Sequence, residues 1–309
     1  MKQYDVIIIG FGKGGKTLAA ELAKRKLDVA VVERSEKMYG GTCINIGCIP
    51  TKTLVHAAKQ ADKDASWEVK KAYYRQSIAR KEEVVSFLRQ KNYHNLADNP
   101  HITVYTGIGS FAGPDVVEVG MVEGTLQLQA PRIFINTGAE TVIPPIKGLS
   151  EIAYWTSKEA LDVKELPRSI AIIGGGVIGI EFASFFNSMR VKVKVIEMMP
   201  EILGTMDKEI SAMLRSEYTK KGVEFFLETK VIEVTPDSVI VEKDGKTETI
   251  EANKILVSVG RKANTKNLGI ETLGIELLRN GIKVNEYMQT SHPNVYACGD
   301  ITGFSMLAH

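Results

Sequence analysis

One arrangement of elements occurs twice in the chain and limits the folds open to it. A short apolar strand leads into the turn GFGKGG, which starts at Gly10, and a helical pattern and a second strand ending at Glu33 follow. The same order returns 164 residues later, where the turn GGGVIG starts at Gly174 and the second strand ends at Glu197. In both copies the acid lies 23 residues after the first glycine. One glycine-rich turn is weak evidence, but two complete units predict an α/β fold with two parallel sheets.

The spacing of these glycines suits a bound dinucleotide. The first allows a tight strand-to-helix turn, the second lets a pyrophosphate approach the backbone, and the third lets helix and strand pack closely. The free N–H groups at the helix start favour an anion, and the acid accepts hydrogen bonds from ribose hydroxyls. The repetition argues against the alternative that the glycines serve turns alone. The candidate residues are Gly10, Gly12, Gly15 and Glu33 in the first copy and Gly174, Gly176, Gly179 and Glu197 in the second.

Length and composition exclude several other classes of protein. The chain has 309 residues, which suggests about two domains, with 44% apolar and 25% charged residues and a net charge of only +2. No strong basic field indicates a nucleic-acid partner, three cysteines exclude a disulfide scaffold, and the five histidines show no metal-binding spacing. The sequence has neither an apolar run long enough to cross a membrane nor a signal-peptide pattern at its start. We therefore expect a cytoplasmic, soluble protein.

The remaining segments indicate how the two units are joined. Residues 53–98 read as long helices with interleaved charges, residues 101–135 as a small antiparallel excursion, and residues 223–260 as strands. Prolines at 144–145 and 167 bracket a linker into the second unit.

The segment GGTCINIGCIPTK contains two cysteines, Cys43 and Cys48, just after the first acid. On a regular helix they would point about 140° apart, so a disulfide between them would require irregular backbone, for which Gly47 offers freedom. A thiol at a helix start near Lys52 would be stabilised as a reactive thiolate. The alternatives are two buried apolar cysteines or half of a metal site. Iron–sulfur sites need further cysteines nearby, and Cys298 is the only other one.

This cysteine segment resembles the redox-active disulfide signature of the flavoprotein pyridine nucleotide-disulfide oxidoreductases. That family includes lipoamide dehydrogenase, glutathione reductase and mercuric reductase. The segments INTGAE, VSVGRKAN and YACGD are similar to three further motifs of the family, so the resemblance runs the length of the chain. The segments IIGFGKGGKTLA and INTGAETVIPPI look most like its reactive-chlorine-resistance and hypothiocyanous acid reductase subgroup, often labelled mercuric reductase-like. The closing SMLAH instead looks like lipoamide dehydrogenase.

The resemblance implies two Rossmann-like domains in a three-layer ββα arrangement, with an NAD(P)-binding domain inserted into an FAD-binding domain. It implies domain bounds of 1–147 and 265–309 for the FAD-binding domain and 148–264 for the NAD(P)-binding domain. It assigns the first glycine turn to FAD and the second to the nicotinamide dinucleotide. Further FAD-binding residues would be Gly41, Thr42, Lys52, Gly109, Thr137, Gly138, Asp300 and Ala308, and further NAD(P)-binding residues Val231 and Gly260.

The resemblance also implies the chemistry of the cysteine segment. Cys48 would face the flavin as the charge-transfer thiol, Cys43 would be the interchange thiol that meets substrate, and Lys52 would form an ion pair with Glu181 in a water-poor site by the flavin. Electrons would pass from the nicotinamide through FAD to the Cys43–Cys48 disulfide, and on to an oxidised sulfur, hypohalous or metal substrate. The carboxylate of Glu197, with no cation in the next four residues, favours NADH over NADPH.

Two other functions remain open from the sequence: a dihydrolipoamide dehydrogenase, and a non-catalytic flavin-binding fragment or redox sensor. Members of the family are homodimers whose chains continue into a dimerisation domain carrying a histidine–glutamate pair. The sequence ends at His309, before the position at which that domain would begin, and no cysteine pair follows Asp300. We therefore expect a truncated form of a homodimeric reductase, with low activity, that acts on a small-molecule oxidant and binds neither nucleic acid nor membrane.

Overall fold

The structure is a computed structural model that describes residues 1–62, 64–204 and 206–307. The chain divides into two compact units. The first unit comprises Met1–Asn45, Val84–Glu140 and the residues from Arg261 onward, and the second comprises Ile46–Glu83 and Thr141–Gly260. Among the described residues no helix is long and apolar enough to cross a membrane.

A five-stranded parallel sheet forms the centre of the first unit. Its strands are short β-branched runs that are mostly buried, as expected for a parallel sheet covered on both faces. Val6–Ile9 is the middle strand, and Gly10 follows it directly. The glycine-rich turn therefore lies at the carboxyl end of the sheet's middle strand. In spatial order the strands are Val295–Ala297, Ile133–Ile135, Val6–Ile9, Val29–Glu33 and Ile102–Thr106.

The first unit also contains a four-stranded sheet, in the order Lys2–Gln3, Gly124–Gln129, Val116–Met121 and Ile108–Phe111. The predicted antiparallel excursion over residues 101–135 is therefore confirmed only for its central strands. Its first and last strands belong to the parallel sheet instead, where Ile102–Thr106 pairs with the strand Val29–Glu33 and Ile133–Ile135 pairs with Val6–Ile9. A short hairpin, Leu277–Leu278 with Gly281–Ile282, completes the unit, and Ala139–Thr141 pairs with Arg261–Ala263 where the chain passes between units.

The second unit repeats the parallel arrangement with four strands, in the order Glu224–Phe226, Lys192–Ile196, Ser169–Ile173 and Lys254–Val257. A three-stranded antiparallel sheet of Lys230–Val234, Ser238–Lys243 and Lys246–Glu251 packs on it through a shared apolar core. Strands were predicted throughout residues 223–260, and this prediction is confirmed.

Helices cover the parallel sheets and fix the glycine-rich turns. They are Lys13–Lys24, Thr42–Asn45, Cys48–Gln60, Trp67–Ala97, Ser157–Asp162, Val177–Ser188 and Lys208–Lys220. Short 3-10 turns occupy Glu36–Met38, Leu149–Glu151, Ile270–Leu273 and Gly299–Thr302. The first helix starts at Lys13, within the glycine-rich turn itself. Gly14 and Gly15 are poor helix formers, but packing against the strands overrides their propensity.

The observed units differ from the expected domain bounds at residues 46–83, and the inserted stretch runs over 141–260 rather than 148–264. Residues 46–83 group with the second unit because the helix Cys48–Gln60 packs against Val177–Ser188, with Leu54, Ala58 and Phe182 buried in one core. The assignment of FAD to one domain and the nicotinamide dinucleotide to the other stays a prediction.

Candidate cofactor and redox site

The first glycine-rich turn leaves no room for side chains at two of its predicted positions. Gly10 has φ +111°, and a Cβ built on it would lie 2.1 Å from the carbonyl oxygen of Asn136. A Cβ on Gly15 would lie 2.5 Å from the carbonyl oxygen of Gly10. Glycine at these positions is therefore required by the protein's own packing, whether or not a dinucleotide is bound.

Glu33 closes this turn from the end of the neighbouring strand. Its carboxylate is buried and accepts hydrogen bonds from the backbone N–H of Phe11 at 3.0 Å and of Ser35 at 3.3 Å. Burial raises the pKa of the Glu33 carboxyl, while these backbone N–H groups and Arg34 act in the opposite direction. The carboxylate thus lies at the turn where the sequence predicts a ribose.

The second turn has the same geometry. Gly174 has φ +108°, and a Cβ on Gly179 would lie 2.1 Å from the carbonyl oxygen of Gly174. Glu197 accepts hydrogen bonds from the backbone N–H of Gly175 at 2.7 Å and of Met199 at 2.8 Å. In both copies the acid therefore binds the N–H of the residue that follows the first glycine.

The middle glycine of the second turn differs from its neighbours. A Cβ on Gly176 would have no atom of the protein within 4 Å, and its φ of −72° suits any residue. The fold does not require glycine here, so the open space at the start of the helix Val177–Ser188 fits the close approach of a pyrophosphate. The corresponding position in the first turn, Gly12, is closer to protein atoms, with the side-chain oxygen of Asn136 at 2.8 Å from a built Cβ.

Sequence reasoning missed two polar residues that support these turns. Asn136 follows the strand Ile133–Ile135; its Oδ1 accepts a hydrogen bond from the N–H of Gly15 at 2.8 Å, and its Nδ2 donates to the carbonyl of Cys298 at 2.6 Å. Ser258 follows the corresponding strand of the second unit and donates to the carbonyls of Ile173 and Gly174 at 3.2 and 3.1 Å. The available signal was a polar residue directly after the fourth strand, in chain order, of the parallel sheet in both units.

Several other predicted FAD-binding residues lie in the first unit. Gly41 has φ +83°, and a Cβ on it would lie 2.7 Å from the Cα of Gly12, so this loop lies directly against the first turn. Thr42 is the first residue of the next helix. Gly109 is buried, with the side chains of Ile9 and Val32 at 3.2 Å from a built Cβ.

Thr137 and Gly138 follow Asn136 at the edge of the parallel sheet. The Thr137 hydroxyl donates to the carbonyl of Asn264 at 3.0 Å, and the N–H of Asn264 donates to the carbonyl of Gly138 at 2.9 Å. Gly138 has φ +68° with open space around a built Cβ. The backbone of Gly138 is therefore not covered by side chains at this edge of the sheet.

Asp300, near the end of the described chain, and Arg261 affect each other's pKa. Burial raises the pKa of the Asp300 carboxyl, and the charge of Arg261 opposes this shift. Burial lowers the pKa of the Arg261 guanidinium, and Asp300 and Glu140 act in the opposite direction. Arg261, which lies in the segment VSVGRKAN but was not among the predicted site residues, also donates to the carbonyl of Ala139. The predicted site residue Ala308 lies outside the described residues.

Two predicted NAD(P)-binding residues of the second unit are placed differently from each other. Val231 is buried in the core between the parallel and antiparallel sheets, so only its backbone could face a ligand. Gly260 has φ +123° with open space around a built Cβ, and its carbonyl accepts a hydrogen bond from the N–H of Val142 at 3.0 Å.

The cysteine segment folds as two helices separated at 46–47, the irregular backbone that the spacing predicts. Cys43 is half-buried in the short helix Thr42–Asn45, and Cys48 is exposed as the first residue of Cys48–Gln60. Within the described ranges no three His, Cys, Asp or Glu side chains cluster in a way that could hold a metal ion.

Lys52 and Glu181 lie 129 residues apart in sequence, and the second unit brings them together. The Lys52 ammonium donates to Oε1 of Glu181, so the predicted ion pair is confirmed. The two side chains are 64% and 39% exposed in the protein chain, which is more open than the water-poor setting expected for the pair. Their roles in catalysis stay a prediction.

The chain is similar in sequence to several known oxidoreductases. The chain is 41% identical to the probable pyridine nucleotide-disulfide oxidoreductase RclA of Escherichia coli over 305 residues, covering 98% of this chain and 67% of that protein. It is also 41% identical to dihydrolipoyl dehydrogenase of Acholeplasma laidlawii over 321 residues, covering 100% of this chain and 93% of that protein. A mercuric reductase of Staphylococcus aureus is 32% identical, over 97% of this chain and 56% of its own length.

A solved structure described as the Cu(II) complex of HOCl-induced flavoprotein disulfide reductase RclA from Escherichia coli superimposes with a TM-score of 0.91. Its sequence is 40% identical, and the match covers 100% of this chain and 68% of that chain. This similarity confirms the predicted fold class of two Rossmann-like FAD/NAD-binding domains. The family described as pyridine nucleotide-disulphide oxidoreductase matches residues 4–309. The chain, with its paired glycine-rich turns and its cysteine segment, therefore belongs to the pyridine nucleotide-disulphide oxidoreductase family.

Proposed function

We propose that this protein is an NADH-dependent flavoprotein reductase in which Cys43 and Cys48 form the redox-active disulfide. The observation that carries the proposal is the position of Cys48, an exposed thiol at the first residue of a helix, with Lys52 one turn later. Reactive cysteines are found in exposed, electropositive places such as a helix start with a nearby ammonium. Structural cysteines, in contrast, are commonly buried and inert.

The residues described above suit the two cofactors that the family implies. When bound, FAD accepts a hydride from the nicotinamide and passes electrons to a disulfide. The first turn with Glu33 would hold the ADP half of FAD, and Asp300 would hold its ribitol. The second turn with Glu197 would hold the nicotinamide dinucleotide. The open space at Gly176 supports the second assignment, since the fold does not need a glycine there.

The two thiols would act in sequence. The Cys43 thiolate attacks an oxidised substrate and forms a covalent bond to it, and the Cys48 thiolate then displaces the reduced product and closes the disulfide. Lys52, held by Glu181, would keep positive charge one helical turn from Cys48. These assignments follow the order of roles that the resemblance implies.

The substrate class that we propose is a small oxidised molecule: an oxidised sulfur compound, a hypohalous species or a metal ion. The solved relative is described as HOCl-induced and as a Cu(II) complex, which supports an oxidant of this kind. We also propose, on the resemblance alone, that the working enzyme is a cytoplasmic homodimer. Size-exclusion chromatography and cell fractionation test these two points.

A second candidate is dihydrolipoamide dehydrogenase. It is favoured by the Acholeplasma laidlawii relative, which matches along the whole of this chain at an identity equal to that of RclA. The two candidates separate in one assay. A dihydrolipoamide dehydrogenase reduces NAD⁺ with dihydrolipoamide, whereas the proposed reductase oxidises NADH with hypothiocyanous acid. Flavin reduction without turnover in either direction would indicate a redox sensor instead.

The thiol roles are tested with Cys43→Ser and Cys48→Ser in the FAD-loaded protein. We expect Cys43→Ser to keep a long-wavelength charge-transfer absorption band and Cys48→Ser to lose it, because only the thiolate beside the flavin gives this band. Both variants should lose NADH-dependent reduction of the oxidant. The opposite pattern of bands would reverse the two roles, and full turnover in either variant would contradict the redox-active disulfide.

A further inference from the structure

A lysine that belongs to none of the predicted sites lies beside the cysteine segment. Lys16 is the fourth residue of the helix Lys13–Lys24 and is half-buried. Its ammonium donates a hydrogen bond to Oδ1 of Asn92 at 2.5 Å, while Nδ2 of Asn92 donates to the carbonyl of Leu88 at 2.7 Å. The second hydrogen bond fixes the orientation of the Asn92 amide, so its oxygen is directed at Lys16. The ammonium is therefore held in place rather than free in solvent.

The loop that leads into Cys43 packs against the same place. A Cβ on Gly40 would lie 3.3 Å from Cγ of Asn92, and a Cβ on Gly41 would lie 2.7 Å from the Cα of Gly12. Gly40 and Gly41 both have positive φ. They let the backbone before Cys43 contact Asn92 and also the glycine-rich turn from which the helix Lys13–Lys24 starts. A side chain at either glycine would push the loop away from Lys16.

The helix that carries Cys43 is also fixed from its other end. Nδ2 of Asn45 donates to the carbonyls of Tyr39 and Gly41 at 2.9 Å each. Its Oδ1 accepts a hydrogen bond from Nε of Arg89 at 2.8 Å. The short helix that carries Cys43 is therefore fixed to the first unit at Asn45.

Three influences act on the pKa of Lys16, and one of them is the charge of Cys43. Burial lowers the pKa of the Lys16 ammonium, the charge of Lys13 on the same helix lowers it further, and the charge of Cys43 acts in the opposite direction. From the packed helix Trp67–Ala97 the facing groups are the neutral Asn92 and the cationic Arg89, which lies beside Asn45. Cys48 and Lys52 follow within nine residues of the same segment. The interaction between Lys16 and Cys43 thus favours the state in which the lysine is an ammonium and the cysteine a thiolate.

We propose that Lys16 is a positioning residue that stabilises the thiolate of Cys43 and so activates the thiol that attacks the substrate. This inference rests on the proposed function in assigning the attacking role to Cys43. In the attack, the thiolate sulfur forms a bond to the electrophilic atom of the substrate, and the leaving group departs with the bonding electron pair and takes up a proton from water. Lys16 itself is neither oxidised nor covalently changed.

The test measures the ionisation of Cys43 without any turnover. In FAD-loaded protein with Cys48→Ser, no Cys43–Cys48 disulfide can form, and iodoacetamide is a neutral probe that a lysine does not attract. The thiolate of Cys43 displaces iodide and forms a C–S bond. Mass spectrometry of the peptide that contains Cys43 gives the rate at each pH, and it separates this site from Cys298.

We expect Lys16→Gln to shift the midpoint of the pH profile upward by one unit or more, so that alkylation near neutral pH slows about tenfold or more. Glutamine removes the charge but keeps a donor for Asn92, which protects the fold. Lys16→Arg restores the cation and should keep the profile near that of the parent. Lys24→Met removes the same charge from an exposed position at the far end of the same helix and should change nothing.

An unchanged midpoint in Lys16→Gln would overturn the proposal, and so would an equal shift in Lys24→Met. If Lys16 instead serves the phosphates of FAD, Lys16→Gln loses flavin while the alkylation profile of Cys43 stays the same, which also refutes the inference. These outcomes are independent of the proposed function, which is tested separately by turnover of the oxidant with NADH and by its loss in the Cys→Ser variants.

Discussion

The middle glycine of the second turn gives the most direct test of the nicotinamide site, because the structure separates folding from binding there. We consider Gly176→Ala. The added methyl group would have no protein atom within 4 Å, and φ of −72° with ψ of −179° is ordinary extended backbone. If the open space receives the pyrophosphate of the dinucleotide, the methyl group weakens binding without disturbing the fold.

The expected magnitudes follow from this geometry. Replacing glycine by alanine in a compatible conformation restricts the unfolded chain and stabilises by about 0.4–1 kcal/mol. Gly176 is also the N-cap of Val177–Ser188, where alanine is worse than glycine by a comparable amount, so the two effects roughly cancel. The free energy of unfolding should change by less than about 1 kcal/mol, and Tm by no more than about 3 °C. A methyl group forced against a bound phosphate costs about 1–3 kcal/mol, which raises the Kd for NADH roughly 5- to 150-fold.

Two other glycine variants make this measurement specific. Gly120→Ala adds a methyl group in a strand of the first unit, with its nearest neighbour 3.9 Å away, and should change neither Tm nor NADH binding. Gly179→Ala brings a methyl group to 2.1 Å from a backbone oxygen and should destabilise the fold itself. Thermal unfolding gives Tm, and stopped-flow flavin reduction at increasing NADH concentration gives the Kd. An unchanged Kd in a folded Gly176→Ala protein would refute the placement of the pyrophosphate.

Two further predictions concern the same cofactor. Flavin reduction should be at least about tenfold faster with NADH than with NADPH, because the Glu197 carboxylate repels a 2′-phosphate; a preference for NADPH would show that a cation reaches the site from elsewhere. Glu181→Ala should slow flavin reduction about tenfold or more while changing stability by less than about 1 kcal/mol, since its ion pair with Lys52 is largely exposed. Glu165→Ala removes a comparably exposed pair with Arg75 in the same unit and should leave the rate unchanged, so equal effects of the two variants would exclude a specific role for Glu181.

The sequence predicted the parts of the fold that depend on local patterns. The two β–turn–α–β units and the interval of 23 residues to Glu33 and Glu197 correspond to the observed strands and to the hydrogen bonds that these acids accept. The break between the helices of the cysteine segment also follows from a local requirement. Contacts that depend on distant parts of the chain were not visible. Asn136 meets Gly15 across 121 residues, and the helix that starts at Cys48 joins a core built mainly from residues beyond 140.

The two copies of the turn share a backbone but differ at the residue that follows the fourth parallel strand along the chain, and under the proposed function this difference would let one motif serve two ligands. Asn136 reaches Gly15 in the first turn and comes within 2.8 Å of a Cβ built on Gly12, so that turn is braced by a side-chain amide. Ser258 has a shorter side chain, which donates to the carbonyls of Ile173 and Gly174. No protein atom lies within 4 Å of a Cβ built on Gly176. A braced turn suits a cofactor that stays bound through many turnovers, because the hydrogen bonds of its loop persist without the ligand. An open turn suits a cosubstrate that must enter and leave in every cycle, since its binding displaces no contact within the protein.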